Sequence, residues 1–180
     1  AEVEIPVAVP YLSPDEGLVE DWRKRMPHTG SALKVGLVWA GSPGNKNDLN
    51  RSISLSQLDL LGTVENVVFF NLQKGFGEAQ ANNPLANLNF IDLKEDIGDF
   101  ASTAALIANL DLVICVDTSV AHLAGAIGKP AWVLLPFAAD WRWLLEREDS
   151  PWYPSLRLFR QCNIGDWEEV VARVRDALCK

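Results

Sequence analysis

Basic charge is what this chain of 180 residues most lacks: 16 Lys and Arg stand against 24 Asp and Glu, for a formal net charge of −8. No local Lys/Arg cluster compensates, which excludes the electrostatic footprint of a nucleic-acid binder. Any anionic ligand must therefore be held by a local site. Cysteine is scarce too: Cys115, Cys162 and Cys179 are odd in number and widely spaced, so neither a disulfide framework nor a zinc site is implied. No apolar run approaches membrane-spanning length and no signal peptide is visible, so no membrane span is expected and a reducing, cytoplasmic setting is the default expectation. Repeats and low-complexity segments are absent. The chain begins with Ala1 rather than Met, which suggests a fragment of a longer protein. With 48% hydrophobic residues it can bury one core and is too short for two full domains.

What is present is an alternation of apolar strands and helices. Glu2 to Tyr11 is extended and proline-punctuated, and reads as a linker or crossover segment. Ser13, Pro14 and Glu16 form a capping box, with a helix from Asp15 to about Arg25. Residues 1–30 are thus expected to lead in from a missing N-terminal region, and 31–180 to form the domain proper. Strands are predicted over Lys34 to Trp39, Asn66 to Leu72, Leu88 to Leu93, Leu112 to Val116, Ala131 to Leu135 and Leu156 to Phe159. Between them lie a helix opened by Ser54 and Gln57 that buries Leu55, Leu58 and Leu61, an alanine-rich helix over Phe100 to Leu110, and a terminal helix capped at Asp166. The strands are continuous apolar runs rather than alternating ones. Such runs belong to a mostly parallel sheet of about six strands covered on both faces, a Rossmann-like three-layer α/β/α arrangement.

Asp111 to Pro130, DLVICVDTSVAHLAGAIGKP, organises the rest. A buried strand ends abruptly in Asp117-Thr118-Ser119, and a small-residue helix begins there. A helix start presents unpaired N–H groups and a positive dipole end, which suits a phosphate. His122 sits within the first turn or so. Gly125 and the alanines are expected to let this helix lie close to the sheet. In a parallel sheet, ligands bind above the carboxyl ends of the strands, where strand order reverses. The loops expected at that edge are Gly41 to Arg51, Gln73 to Gly77, Asp117 to Ser119 and Pro136 to Trp143. Lys46, Arg51 and Lys74 offer cations to a diphosphate held by Thr118 and Ser119. Phe137, Trp141 and Trp143, with Trp132 and Trp152, offer walls for a sugar or a base.

Other sites of this kind are weaker. The loop from Gly41 to Ser52 lacks the P-loop spacing, and Gly75-Phe76-Gly77 begins a dinucleotide fingerprint that Gln80 breaks. The best pair of isolated acids for a glycosidase, Asp117 and Asp140, is a poor signal. There is no Asp-x-Asp metal motif, and no metal or other cofactor is expected.

The run VDTSVAHLAGAIGKP resembles the D-T-[GS]-x-x-H-[LI]-A motif of the heptosyltransferase family, whose members have the GT-B fold. KVGLVWAGSP, NRSISL, FFNLQKG and DWRWLL resemble the glycosyltransferase-like C-terminal domain of bacterial tetratricopeptide-repeat proteins. The resemblance runs from about Leu33 to the C-terminus. It implies the donor half of a GT-B enzyme, binding a nucleotide-diphosphate sugar, with the acceptor site and the general base in an N-terminal half. By position, Thr118, Ser119 and His122 would contact the donor diphosphate, Asp117 would hold the turn, and Lys74 would meet phosphate. Ser42 and Arg51 would face the same cleft. Where the family often has Gly after Asp-Thr, this chain has Ser119.

Each residue also has a plainer reading. Asp117-Thr118-Ser119 serves as an ordinary helix cap, His122 as a satisfied structural histidine, Lys74 as an exposed lysine, and Arg51 as a tie on its own loop through carbonyls. The tryptophans between 141 and 152 read more simply as packing or an interdomain contact, and Asp96 and Asp99 as caps. The expectation is therefore a metal-independent glycosyltransferase whose donor is recognised here, the isolated chain being inactive. A non-catalytic binding or scaffold module of a repeat protein is the alternative, with a nucleotide-sugar epimerase or hydrolase of the same fold as a third. The expected partners are a nucleotide sugar, an acceptor that the sequence does not identify, and the N-terminal half or repeat domain of the parent protein.

Overall fold

The computed structural model describes residues 8–83, 85 and 87–180. Most of the expected linker, residues 2–7, lies outside them. Six strands form one sheet, parallel throughout: β1 (Leu33–Val38), β2 (Val67–Asn71), β3 (Phe90–Asp92), β4 (Leu112–Val116), β5 (Ala131–Leu135) and β6 (Leu156–Arg160), in the order β3-β2-β1-β4-β5-β6. This is the doubly wound, Rossmann-like α/β/α order, and it reverses between β1 and β4.

Alternate residues of each strand enter two different cores. Val68, Phe70, Val113, Cys115 and Val133 point to one face, where α1 (Glu16–Arg25), α3 (Phe100–Ala108) and α4 (Ser119–Ala126) lie. Val67, Phe69, Leu112, Ile114 and Leu134 point to the other, under the 3-10 helix Leu55–Thr63 and α5 (Trp167–Leu178). Both faces are covered, which is why the strands read as unbroken apolar runs. Cys115 is fully buried in the first core, and burial pushes its thiol well above the usual range. No described helix is long and apolar enough to cross a membrane.

Several local expectations change. The first helix is capped by Asp15, whose carboxylate accepts from the Leu18 N–H at 2.9 Å, so the cap falls two residues after Ser13 and no capping box forms, Leu18 standing at the third helical position. A charged acceptor is favoured at a helix start, where it meets both the open N–H groups and the dipole. α1 is packed on the domain rather than held off it: Trp22 is 1% exposed and its indole N–H donates to Ser102 Oγ. The segment Leu55–Thr63 is 3-10 rather than α-helical. Leu55, Leu58 and Leu61 recur every three residues, which aligns them on one line only at three residues per turn. The Ser54 and Gln57 contact does form, Gln57 Oε1 accepting from the Ser54 N–H at 3.0 Å. Asp99 and Asp166 cap α3 and α5 as read, whereas Asp96 pairs with Arg25 at 3.5 Å.

Candidate functional site

Strand order reverses between β1 and β4, so the loops leaving these two strands diverge and open a crevice at the carboxyl edge of the sheet. Two adjoining cavities occupy it. The larger, of about 570 Å³, is walled by the β1 loop (Gly41, Ser42, Pro43, Arg51), the β2 loop (Lys74, Gly75, Phe76) and the start of α4 (Thr118, Ser119). The second, of about 430 Å³, is lined by Asn45, Arg51, Asp117, Thr118, Ser119, His122, Asp140 and Arg142. Both volumes lie within the range of ligand-binding clefts. The seven residues placed at the site by the resemblance (Ser42, Arg51, Lys74, Asp117, Thr118, Ser119 and His122) each line one cavity or the other, and Arg51, Thr118 and Ser119 line both.

Thr118 is the cap residue of α4. Its backbone is extended (φ −138°, ψ 172°), yet its side chain makes no capping bond. The hydroxyl is fully buried and has no hydrogen-bond partner, in a residue only 9% exposed. A buried polar group left unpaired costs about 1–3 kcal/mol. The first-turn N–H groups of α4 receive no help from this side chain either; that of Ala121 donates to the Thr118 carbonyl at 3.1 Å, which leaves those of Ser119 and Val120 beside the hydroxyl. Ser119, next along, is exposed.

Arg51 ends a four-residue helix, α2 (Asp48–Arg51), and is committed to the protein. Its Nε pairs with the carboxylate of buried Asp48 at 3.1 Å, Nη1 donates to the Asp117 carbonyl at 2.7 Å, and Nη2 reaches the Ser42 carbonyl at 3.4 Å. The role of a tie on its own loop is thus realised, and the same residue reaches across to hold the β4 turn. Gly41 makes the room: a Cβ there would stand 2.3 Å from Arg51 Nη2 and 2.8 Å from the Asp48 carboxylate. Lys74 lines the larger cavity, but its ammonium donates to the Lys94 carbonyl at 2.8 Å. Ser42 lies at the same cavity's rim, and Lys46 lines neither.

His122 is half-buried. Its ring stacks on Trp143 (centroids 5.3 Å apart, 19° between planes) and meets the edge of Tyr153, whose hydroxyl lies 3.2 Å from Nδ1. Burial holds the imidazole below the usual histidine range, against the pull of Asp117, while Arg142 adds to the lowering and Asp140 opposes it. Trp143 is fully buried and Trp152 donates its indole N–H to the Arg142 carbonyl, so these two tryptophans are packing elements. Trp141, 66% exposed, stands edge-on to Trp152 with the Arg142 guanidinium 5.1 Å from its ring centre.

Four functional candidates escape a reading by motif. Gln73 is buried beneath the cleft, where its Oε1 accepts from the N–H groups of Trp39 and Ala40 and its Nε2 donates to the carbonyls of Ala40 and Phe76. It locks the β1 and β2 exits together. Asp48 anchors Arg51. Arg142 sits at the second cavity paired with Asp140 at 2.7 Å. Tyr153 reaches His122 from 31 residues away. Only Gly125 gave a signal for Tyr153: a Cβ on it would stand 2.4 Å from Tyr153 Cγ, so this glycine admits a tyrosine ring rather than the sheet. Among the described residues no group of three or more His, Cys, Asp or Glu side chains is placed to hold a metal ion.

Residues 67–134, from β2 through β5, match the glycosyltransferase family 9 (heptosyltransferase) model. The match takes in Lys74 and the Asp117–His122 turn. Protein FlbA of Caulobacter vibrioides is 35% identical over 178 aligned residues, which cover 93% of this chain and 28% of FlbA. Among solved structures, the ADP-heptose lps heptosyltransferase II of E. coli superposes with a TM-score of 0.69 at 16% identity, over 97% of this chain and 54% of that one. E. coli heptosyltransferase WaaC with ADP gives 0.54 at 14% identity, over 96% and 51%. The chain therefore spans about half of each heptosyltransferase structure and under a third of FlbA. At these identities the two structures establish the fold alone: a Rossmann-like α/β unit that superposes on about half of each.

Proposed function

We propose that this chain is the donor-binding half of a metal-independent glycosyltransferase, holding the diphosphate of a nucleotide sugar at the start of α4. The observation that carries the reading is the Thr118 hydroxyl, buried without a partner at a helix start that opens into the crevice. An anion there gains the Thr118 O–H, the open N–H groups of α4 and its dipole. Arg51 and Arg142 line the second cavity but are each paired with a carboxylate, of Asp48 and Asp140, so it is chiefly the Thr118 hydroxyl and the start of α4 that would stabilise charge growing on the departing nucleoside diphosphate. The larger cavity, with Phe76 and Phe100 at its mouth, has room for the remainder of the nucleotide sugar. The acceptor site and general base belong in this proposal to the N-terminal half or repeat region of the parent protein, so the isolated chain is expected to bind without turnover.

A non-catalytic module of a repeat protein is favoured by one observation: Arg51 and Lys74 both spend their charge on backbone carbonyls. Titration of the chain with ADP, UDP, GDP, CDP and their sugar conjugates separates the readings. On the donor reading at least one of them binds, and Thr118→Val, which removes only a hydroxyl, weakens it about two- to tenfold while stability holds or rises. The donor reading fails if nothing in the panel binds, or if Thr118→Val and His122→Ala leave binding unchanged.

A further inference from the structure

The chain contains two tyrosines, and both lie in one hydrogen-bonded line that ends on His122. Tyr11 Oη stands 3.3 Å from Tyr153 Oη, which stands 3.2 Å from His122 Nδ1. Everything around this line fixes it in place. Tyr153 is 9% exposed, with its ring pressed against Gly125 of α4, and the His122 ring is clamped between the face of Trp143 and the edge of Tyr153. Tyr11 is held from the other side, because the backbone N–H groups of Tyr11 and Leu12 both donate to the Ala126 carbonyl near the end of α4.

Protons can be ordered along this line in two ways. In one, Tyr11 donates to Tyr153 and Tyr153 donates to Nδ1, leaving the imidazole proton on Nε2. In the other, Nδ1–H donates to Tyr153, Tyr153 donates to Tyr11, and Nε2 carries a lone pair. Nδ1 is occupied by Tyr153, so Nε2 is the nitrogen left for the second cavity that His122 lines. Burial keeps the ring neutral; of the charges that act on it, Asp117 and Asp140, which line the same cavity, favour a proton on the nitrogen facing them, and Arg142 opposes. A lone pair facing these acids would be repelled, and a lone pair facing a bound anion would be repelled as well. The first order satisfies every group.

We propose that Tyr153 is a positioning residue: its hydroxyl, itself supported by Tyr11, donates to His122 Nδ1 and fixes the imidazole in the tautomer that presents Nε2–H to the diphosphate subsite beside Thr118. The ligand half of this statement rests on the donor reading above, while the tautomer half does not. His122 is thereby a neutral hydrogen-bond donor whose direction is set by a residue outside the motif that contains it.

The test is a long-range ¹H–¹⁵N correlation of the side chains in the ¹⁵N-labelled 180-residue chain, which has two histidines to assign. The expected spectrum for His122 has an unprotonated Nδ1 and a protonated Nε2. In Tyr153→Phe, which keeps the ring against Gly125, the Nδ1 resonance is expected to shift and the tautomers to mix. Tyr11→Phe should give a smaller shift in the same direction. A protonated Nδ1 in the unmodified chain, or an unaltered tautomer in Tyr153→Phe, overturns the proposal whether or not any nucleotide binds. Isothermal titration with ADP and with inorganic pyrophosphate then tests the ligand half. Tyr153→Phe should weaken binding about two- to tenfold and add nothing further once His122→Ala is present. Equal losses in both backgrounds would mean that Tyr153 acts on the subsite without His122, which also overturns it. Absence of any diphosphate binding in the unmodified chain would instead remove the donor reading and leave the tautomer result standing.

Discussion

Asp48→Asn removes one charge and almost no volume from the most enclosed ion pair of the crevice. The side chains of Arg51 and Asp48 are 12% and 7% exposed, and the same carboxylate oxygen accepts from Arg51 Nε and from Ser52 Oγ. An asparagine there still accepts hydrogen bonds but leaves the guanidinium without its counter-ion. Breaking a buried pair this way costs about 3–5 kcal/mol. Arg51 keeps its bond to the Asp117 carbonyl, and the cavities beside it admit water, so the cost falls at or just below the bottom of that range, about 2–3 kcal/mol. For a domain of this size that is a fall in Tm of about 4–12 °C. Differential scanning calorimetry measures it directly. Arg51→Met should destabilise as well, and the double variant should be more stable than the sum of the two losses predicts, because no buried charge is then left alone. A second readout has the opposite sign. Once freed of Asp48, the Arg51 charge is available to an anion, so the Tm increase produced by a bound nucleoside diphosphate should be larger in Asp48→Asn than in the unmodified chain. A change in Tm under about 1 °C, or additive losses in the double variant, would show that the pair is solvent-screened and that the reasoning fails.

Two further outcomes follow from the packing of His122. Gly125→Ala places a methyl 2.4–2.9 Å from the Cγ, Cδ1 and Cβ of Tyr153, which cannot yield as the end of a flexible side chain would; chemical denaturation should show a loss of about 1–3 kcal/mol. A change within about 0.3 kcal/mol would mean that Tyr153 has room to move, far below that overpacking cost. The pH dependence has a definite sign. Burial depresses the folded-state pKa of His122 below its unfolded value, so below about pH 6.5 the unfolded chain takes up the proton first and stability is lost as pH falls toward the depressed value. Urea denaturation across this range should show a steeper acid loss in the unmodified chain than in His122→Gln, and parallel profiles would contradict the assignment.

The sheet was legible because its information is local. β4, β5 and their neighbours are buried on both faces, so each announces itself as a continuous apolar run bounded by Gly, Pro or Asp, and five of the six strands fall within one residue of the sequence reading at each end. β3 was overlong because Leu88 is buried without being paired, and apolar character reports burial rather than hydrogen bonding. The type of the helix opened at Ser54 was not read from the sequence, although Leu55, Leu58 and Leu61 recur every three residues and a period of three is the 3-10 period.

The site divides differently, between what a residue is and what it touches. Asp117 to His122 could be placed from sequence because a strand end, a cap and a helix start are consecutive in the chain. The commitment of Arg51 to the Asp117 carbonyl spans 66 positions, that of Lys74 to the Lys94 carbonyl spans 20, and that of Tyr153 to His122 spans 31. None of these has a periodicity, because the partners are carbonyls or hydroxyls that any residue near the crevice could supply. A motif therefore identifies the groups that face a ligand and is silent on the groups that aim them. In this crevice the aiming is done by Asp48 through Arg51, by Gln73 beneath the β1 and β2 exits, and by Tyr153 through His122. Substitutions at these three should alter affinity or order of the cleft while the Asp117–His122 turn itself stays chemically intact.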